Sequence, residues 1–197
     1  DFRVLLQKIR KDESIDAVVL RVNSPGGSAL ASDIIWREID LLKKEKPVVV
    51  SMGDLAASGG YYIACGADSI FANAGTITGS IGVFTVIPNV KGLMNNKLGI
   101  SFDGVKTGQF ADMPSTTRPL NAAEQKFMQS GVDSIYHTFK SRVSVGRKKS
   151  MEYIDSIAQG RVWIGADAIK IGLVDRIGTL DDAIASAAKM AKLKGYG

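Results

Sequence analysis

Cysteine and histidine are nearly missing from this chain, which holds one of each among 197 residues. A lone Cys65 closes no internal disulfide, and with a lone His137 it builds no cysteine-histidine metal site, so neither a metal nor a cofactor is expected. Redox compartment is left open by so little thiol. No apolar run approaches the roughly 18 residues a bilayer-spanning helix requires, and no signal-peptide pattern opens the chain. The sequence starts at Asp1 without an initiator methionine, and along it no convincing linker or internal repeat is seen. The expectation is one domain over residues 1–197, cut from a longer chain, with any membrane anchor outside it.

Basic charge is present without being gathered. The net charge of +5 is spread over several segments, and the tightest runs, Lys43-Lys44-Glu45-Lys46 and Arg147-Lys148-Lys149, fall at the ends of expected helices. There they complement the helix dipole, so a solvated face is the better reading than a nucleic-acid site. With 45% hydrophobic and 23% charged residues the chain has material for one full core.

Periodicity divides that material into alternating elements. Residues 2–12 carry Phe2, Leu5, Leu6 and Ile9 at helical spacing, and 17–22 form an apolar run that reads as a strand. A helix is expected over 29–44, a strand over 47–50, a short buried helix over 61–65, a strand over 69–72 and an extended stretch over 76–84. Helix 90–98, strand 100–105 and a polar loop over 106–120 follow. Asn121 and Glu124 form a capping-box pattern that starts the longest helix, 122–147. Two shorter helices, strands at 161–164 and 173–176, and an amphipathic helix over 180–193 complete the chain. Strand and helix in alternation imply an α/β fold with a largely parallel, buried sheet.

Chemistry concentrates in Ser51-Met52-Gly53-Asp54-Leu55-Ala56-Ala57-Ser58-Gly59-Gly60-Tyr61-Tyr62, between the 47–50 strand and the 61–65 helix. A serine at such a strand-to-helix turn, flanked by Ala57 and Gly59, leaves room for a carbonyl to approach its hydroxyl. Its own amide and that of Gly59 are expected at a helix N-terminus, where unpaired N–H groups favour developing negative charge. Taken alone, the stretch reads equally well as a tight turn that needs small residues. Asn23-Ser24-Pro25-Gly26-Gly27 adds a glycine pair leaving a strand, which lets backbone N–H groups turn into a cleft.

These two motifs, followed by Thr78-Gly79-Ser80-Ile81-Gly82, Ile157-Ala158-Gln159-Gly160-Arg161-Val162-Trp163 and Gly172-Leu173-Val174-Asp175, resemble the signal peptide peptidase A family over nearly the whole chain. The resemblance implies a Clp protease and crotonase-like fold of repeated ββα-type units, and a serine-lysine protease. It makes Ser58 the nucleophile, places the oxyanion on the amides of Gly59 and Gly27, and gives Ser80 the part of orienting the lysine base. Such a lysine must be dehydrated: lowering its pKa from about 10.4 to near 7.5 destabilises the ammonium by about 4 kcal/mol. Ile81, Gly82 and Val83 are candidates for pairing with an extended peptide by strand addition, against the plainer reading of a core strand.

One position departs from the pattern. Shorter family members carry the lysine in a Gly-x-x-Lys-Asp loop, and the match here is Gly108-Gln109-Phe110-Ala111-Asp112. Alanine there is open to three accounts: an engineered substitution, a non-catalytic relative, or the carboxyl-terminal half of a long two-repeat member whose lysine lies on the other half. The third fits best, because the loop, with Thr117-Arg118-Pro119-Leu120, resembles the serine-bearing half of the long form. Lys106 is the nearest substitute base, Lys91 and Lys97 belong to a helix face, and His137 lies inside the long helix. Ser186 and Lys189 match Ser-x-x-Lys only formally. The resemblance further implies signal-peptide remnants as substrates and a homo-oligomer, a tetramer for the long form. It places the catalytic domain on the outer, periplasmic side of the bacterial cytoplasmic membrane. Rival readings are a crotonase-type acyl-CoA enzyme and a peptide-binding relative without catalysis.

Overall fold

A computed structural model describes residues 2–195. Its elements run α1 (Phe2–Lys11), β1 (Val18–Ser24), α2 (Ala29–Lys43), β2 (Val48–Ala57), α3 (Gly59–Ala64), β3 (Ser69–Ala72) and β4 (Ile77–Gly79). Then come α4 (Lys91–Lys97), α5 (Ala122–Arg147), α6 (Met151–Ile157), β5 (Val162–Ile164), α7 (Gly165–Ala168), β6 (Arg176–Ile177) and α8 (Leu180–Met190). The α/β alternation read from the sequence is present, and the sheet is largely parallel: β2 pairs in parallel with β1, β3 and β4, β3 does so with β6, and only β4 with β5 is antiparallel.

The chain resolves into two compact units, one of residues up to Gly82 together with those from Tyr136 onward, the other Val83–Ile135. In the first, β2 is the spine. Val48, Val49, Val50, Ser51 and Met52 are buried throughout, as a strand covered on both faces must be. Each such aliphatic side chain contributes about 1.5–3 kcal/mol of burial. Helix α2 starts on the Ser28 cap, whose hydroxyl accepts from the Ala31 amide, and packs Ile39 and Leu42 against Leu6 of α1 and Val48. Helix α8 begins on a capping box between Thr179 and Asp182 and sets Ala183 and Ala187 against Val49 and Phe71.

Four sequence expectations are corrected. The strand at 47–50 extends to Ala57, because its continuation through Leu55, Ala56 and Ala57 pairs with β4; small residues do not prevent extended backbone when a neighbouring strand takes its hydrogen bonds. The 76–84 stretch is a strand only over Ile77–Gly79. Residues 100–105 form none: Ile100 and Phe102 are about half exposed and Val105 almost wholly so, and β-branched composition without a pairing partner does not hold a strand. At 173–176, Leu173 and Val174 are core residues in a turn, and the strand is displaced to Arg176–Ile177.

The second unit, Val83–Ile135, holds α4 and the start of α5, and Glu124 is its only buried residue. The expected capping box is formed: the Glu124 amide donates to Asn121 Oδ1 at 2.9 Å and the Asn121 amide to Glu124 Oε2 at 2.8 Å. Arg118 reaches both Glu124 oxygens, at 2.7 and 2.5 Å, and both Asp112 oxygens, at 2.9 and 2.7 Å.

Candidate active site

Ser58 occupies the one residue between β2 and α3, with φ 51° and ψ −120°. An L-residue reaches that conformation only under strain of about 1–3 kcal/mol, which the surrounding backbone must impose. Two hydrogen bonds do so: the Ser58 amide donates to the Gly79 carbonyl at 2.9 Å, and the Tyr62 amide donates to the Ser58 carbonyl at 2.8 Å. The serine is thus gripped from β4 on one side and from α3 on the other. Its hydroxyl does not cap α3, and it has no hydrogen-bond partner among the described residues. The Ser58 amide, expected beside Gly59 as a donor to developing charge, is instead consumed by Gly79. That corrects the sequence reading, which could not see β4 arriving alongside.

The glycine pair lies against this turn. A Cβ placed on Gly26, whose φ is 102°, would come within 2.6 Å of the Gly59 nitrogen and 2.8 Å of Ser58 Cβ. One placed on Gly59 would fall 3.2 Å from the Gly27 nitrogen, so Gly27 and Gly59 are neighbours. A Cβ on Gly27 would meet nothing within 4 Å, so this glycine borders open space. Neither the Gly27 nor the Gly59 amide makes a hydrogen bond among the described residues. Gly59 opens α3, where the first amides have no intrahelical acceptor. Two adjacent unpaired N–H groups beside a hydroxyl can stabilise an oxyanion formed by attack of that hydroxyl.

Ser80 is the next residue after Gly79 and, like Ser58, has a positive φ, of 48°. Since Ala57 pairs with Gly79, the two serines follow directly from paired positions. The Ser80 amide donates to Arg161 at 2.8 Å, and Ile81 accepts from Gly160 at 2.9 Å, so this edge of the 80–81 segment is occupied. Its other edge loses β2 when Ser58 turns into α3. Ile81 is buried and Gly82 half-buried; Val83 opens the second unit.

Other candidate bases stand as follows. Lys106 Nζ lies 3.0 Å from Asp112 Oδ1 and is partly exposed. His137 is exposed on α5, and Lys91 and Lys97 bound the exposed helix α4. Ser186 and Lys189 line a cavity of about 630 Å³ on α8 with Phe71 and Arg176. Ala111 sits in a turn closed by its amide on Gly108. The thiol of Cys65 is buried, which pushes its pKa up to about 12, and so is no nucleophile.

Residues 40–194 match the model of peptidase family S49. The chain belongs to this family. The S49 match takes in Ser58 and Ser80 but begins after Gly27. Among relatives, the chain is 46% identical to Protease 4 of Haemophilus influenzae over 94% of its own length and 30% of that protein. It is 39% identical to the chloroplastic serine protease SPPA of Arabidopsis thaliana, over 95% and 28%, and 40% identical to the putative signal peptide peptidase SppA of Enterococcus faecium, over 98% and 56%. It therefore spans about 30% of the first two relatives' length. The mixed α/β architecture with its largely parallel sheet agrees with the S49 fold expected from the resemblance.

Sequence reasoning passed over several groups beside this candidate site. Ser32, buried in the first turns of α2, would have its Oγ 2.5 Å from a Cβ on Gly59, and it donates to the Ser28 carbonyl at 3.0 Å. Tyr62 donates to Asp33 Oδ1 at 2.7 Å, tying α3 to α2; burial first, then the Asp33 carboxylate, raises the pKa of its phenol. No local pattern marks the approach of Ser32 to Gly59 or the bond of Tyr62 to Asp33, because each joins residues that are far apart in the chain.

Proposed function

We propose that this chain is the serine-bearing portion of a serine-lysine endopeptidase, the carboxyl-terminal half of a long two-repeat protein, with the lysine supplied by the other half. Ser58 Oγ attacks a peptide carbonyl carbon while the neutral lysine amine takes its proton. The carbonyl oxygen, now negative, lies on the amides of Gly27 and Gly59. Collapse of the tetrahedral adduct breaks the C–N bond, the ammonium returns its proton to the leaving amine, and an acyl ester on Ser58 remains for water to hydrolyse. Ser80, beside the serine through the Ala57 and Gly79 pairing, orients the lysine.

The observation that carries this reading is the strained Ser58, its hydroxyl uncommitted, next to the open glycine pair. A turn that only needed small residues would be free to place glycine at φ 51° and ψ −120°, where any side chain is strained. The names of the relatives, a serine protease and a putative signal peptide peptidase, favour the same chemistry and suggest signal-peptide remnants and other membrane-derived peptides as substrates. An extended substrate pairs with residues 81–83 along the edge that β2 vacates. Exposed Phe84, Val86 and Val105 suit burial in a homo-oligomer, taken to be a tetramer, held on the outer face of the bacterial cytoplasmic membrane by an anchor outside this segment.

The test is labelling of the full-length protein with a fluorophosphonate probe. Adduct formation at Ser58, lost in Ser58→Ala and in one lysine substitution outside this segment, is expected. Peptide hydrolysis or acyl-CoA turnover that survives Ser58→Ala would overturn it.

A further inference from the structure

Between the start of β2 and Ser58 the sheet contains a dislocation. Val22 of β1 pairs with Met52, but Ser24 pairs with Ala56, so two steps along β1 correspond to four along β2. Over the same stretch β2 changes its other neighbour, pairing with β3 through Val49, Val50 and Ser51 and with β4 through Leu55, Ala56 and Ala57. A parallel ladder cannot absorb extra residues without leaving backbone groups unpaired. Here two side chains take them, one from each flank. The Leu55 amide donates to Asn23 Oδ1 at 3.2 Å. The Thr76 hydroxyl, buried, donates to the Gly53 carbonyl at 2.7 Å and accepts from the Asn73 amide at 3.1 Å.

We infer that Asn23 and Thr76 are positioning residues for the Ser58 nucleophile: they fix the dislocation at Gly53 and Leu55 that sets the direction in which β2 delivers Ser58 between Gly79 and the glycine pair. Gly53 belongs to the same device, because a Cβ there would stand 2.8 Å from Asn23 Oδ1. Asn23 also leads directly into Ser24 and the Gly26–Gly27 turn, so one carboxamide registers both the oxyanion donors and the strand that carries the attacking group. Neither side chain is assigned contact with substrate.

This inference rests on Ser58 being the nucleophile, and the experiment separates the two. In the full-length protein, fluorophosphonate labelling is followed as rate against probe concentration for Asn23→Ala, Asn23→Asp, Thr76→Val, Thr76→Ser and the parent. Misplacement by about 1 Å costs reactivity on the order of 10²-fold. Asn23→Ala and Thr76→Val are therefore expected to lower the maximal labelling rate about 10- to 100-fold, with half-saturating probe changed less than about twofold. Asn23→Asp and Thr76→Ser, which keep the acceptor and the hydroxyl, are expected to recover most of that rate. Melting temperatures measured alongside separate loss of fold from loss of aim, and exposed Asn23 gives a variant that folds even if Thr76→Val does not. Parental labelling rates in folded Asn23→Ala overturn the positioning role while leaving Ser58 in place. A parent that labels somewhere other than Ser58 overturns both.

Discussion

A serine held at φ 51° and ψ −120° is strained where glycine would not be. Replacing it with glycine, which adopts that conformation freely, is expected to raise unfolding free energy by about 1 kcal/mol in urea titration while abolishing probe labelling. Ser58→Ala should abolish labelling without the stabilisation, since alanine keeps the strain. Gly26→Ala tests the neighbouring glycine pair: its methyl would press on the Gly59 nitrogen, and under the proposed function, in which that amide is an oxyanion donor, peptide hydrolysis by the full-length protein is expected to fall about 10²- to 10³-fold. The candidates Ser58, Gly59, Gly27 and Ser80 are proposed from the sequence because they lie in short, ordered motifs that resemble those of the family. The capture of the Ser58 amide by Gly79 was not legible, as nothing local to residues 51–62 announces a strand arriving from 77–79.

The loop before α5 is stapled by charge. Arg118 holds the Glu124 carboxyl down to a pKa of about 2, with the Asn121 amide adding to the effect, and Arg118 and Lys106 hold Asp112 well below the usual carboxylate range. Both folded values lie below the unfolded ones, so the linked stability is complete above about pH 4.5 and is lost as pH falls through the folded values. Protection factors of the amides of residues 106–121, taken against the intrinsic exchange rate at each pH, are therefore expected to fall between about pH 4.5 and 2, and Glu124→Gln should flatten that dependence. The capping box in this cluster was readable from Asn121 and Glu124 alone, a contact spanning three residues. Its Arg118 partner is visible in the sequence only as part of a family pattern, because the ion pair depends on a loop doubling back.

Across the protein, apolar burial is unevenly shared. Among the described residues, the sheet-bearing unit contains all the buried hydrophobic ones, whereas Val83–Ile135 buries only Glu124 and leaves Phe84, Val86 and Phe127 exposed. Local opening follows burial, so amides of residues 83–121 in the isolated 197-residue segment should exchange by low-energy opening, while those of β2 exchange only on global unfolding. Equal protection in the two units would refute this.

Short-range information settled a good deal in advance. Helical periodicity, caps and glycine-rich turns act over a few neighbouring residues, so α1, α2, β3, α5 and the residues of the candidate site could be read in order along the chain. Pairing energy acts between segments instead. Which strand accepts from Ser58, how far β2 extends, why 100–105 remains unpaired and how Asn23 and Thr76 bracket the dislocation depended on distant backbone being brought alongside, and only folding does that.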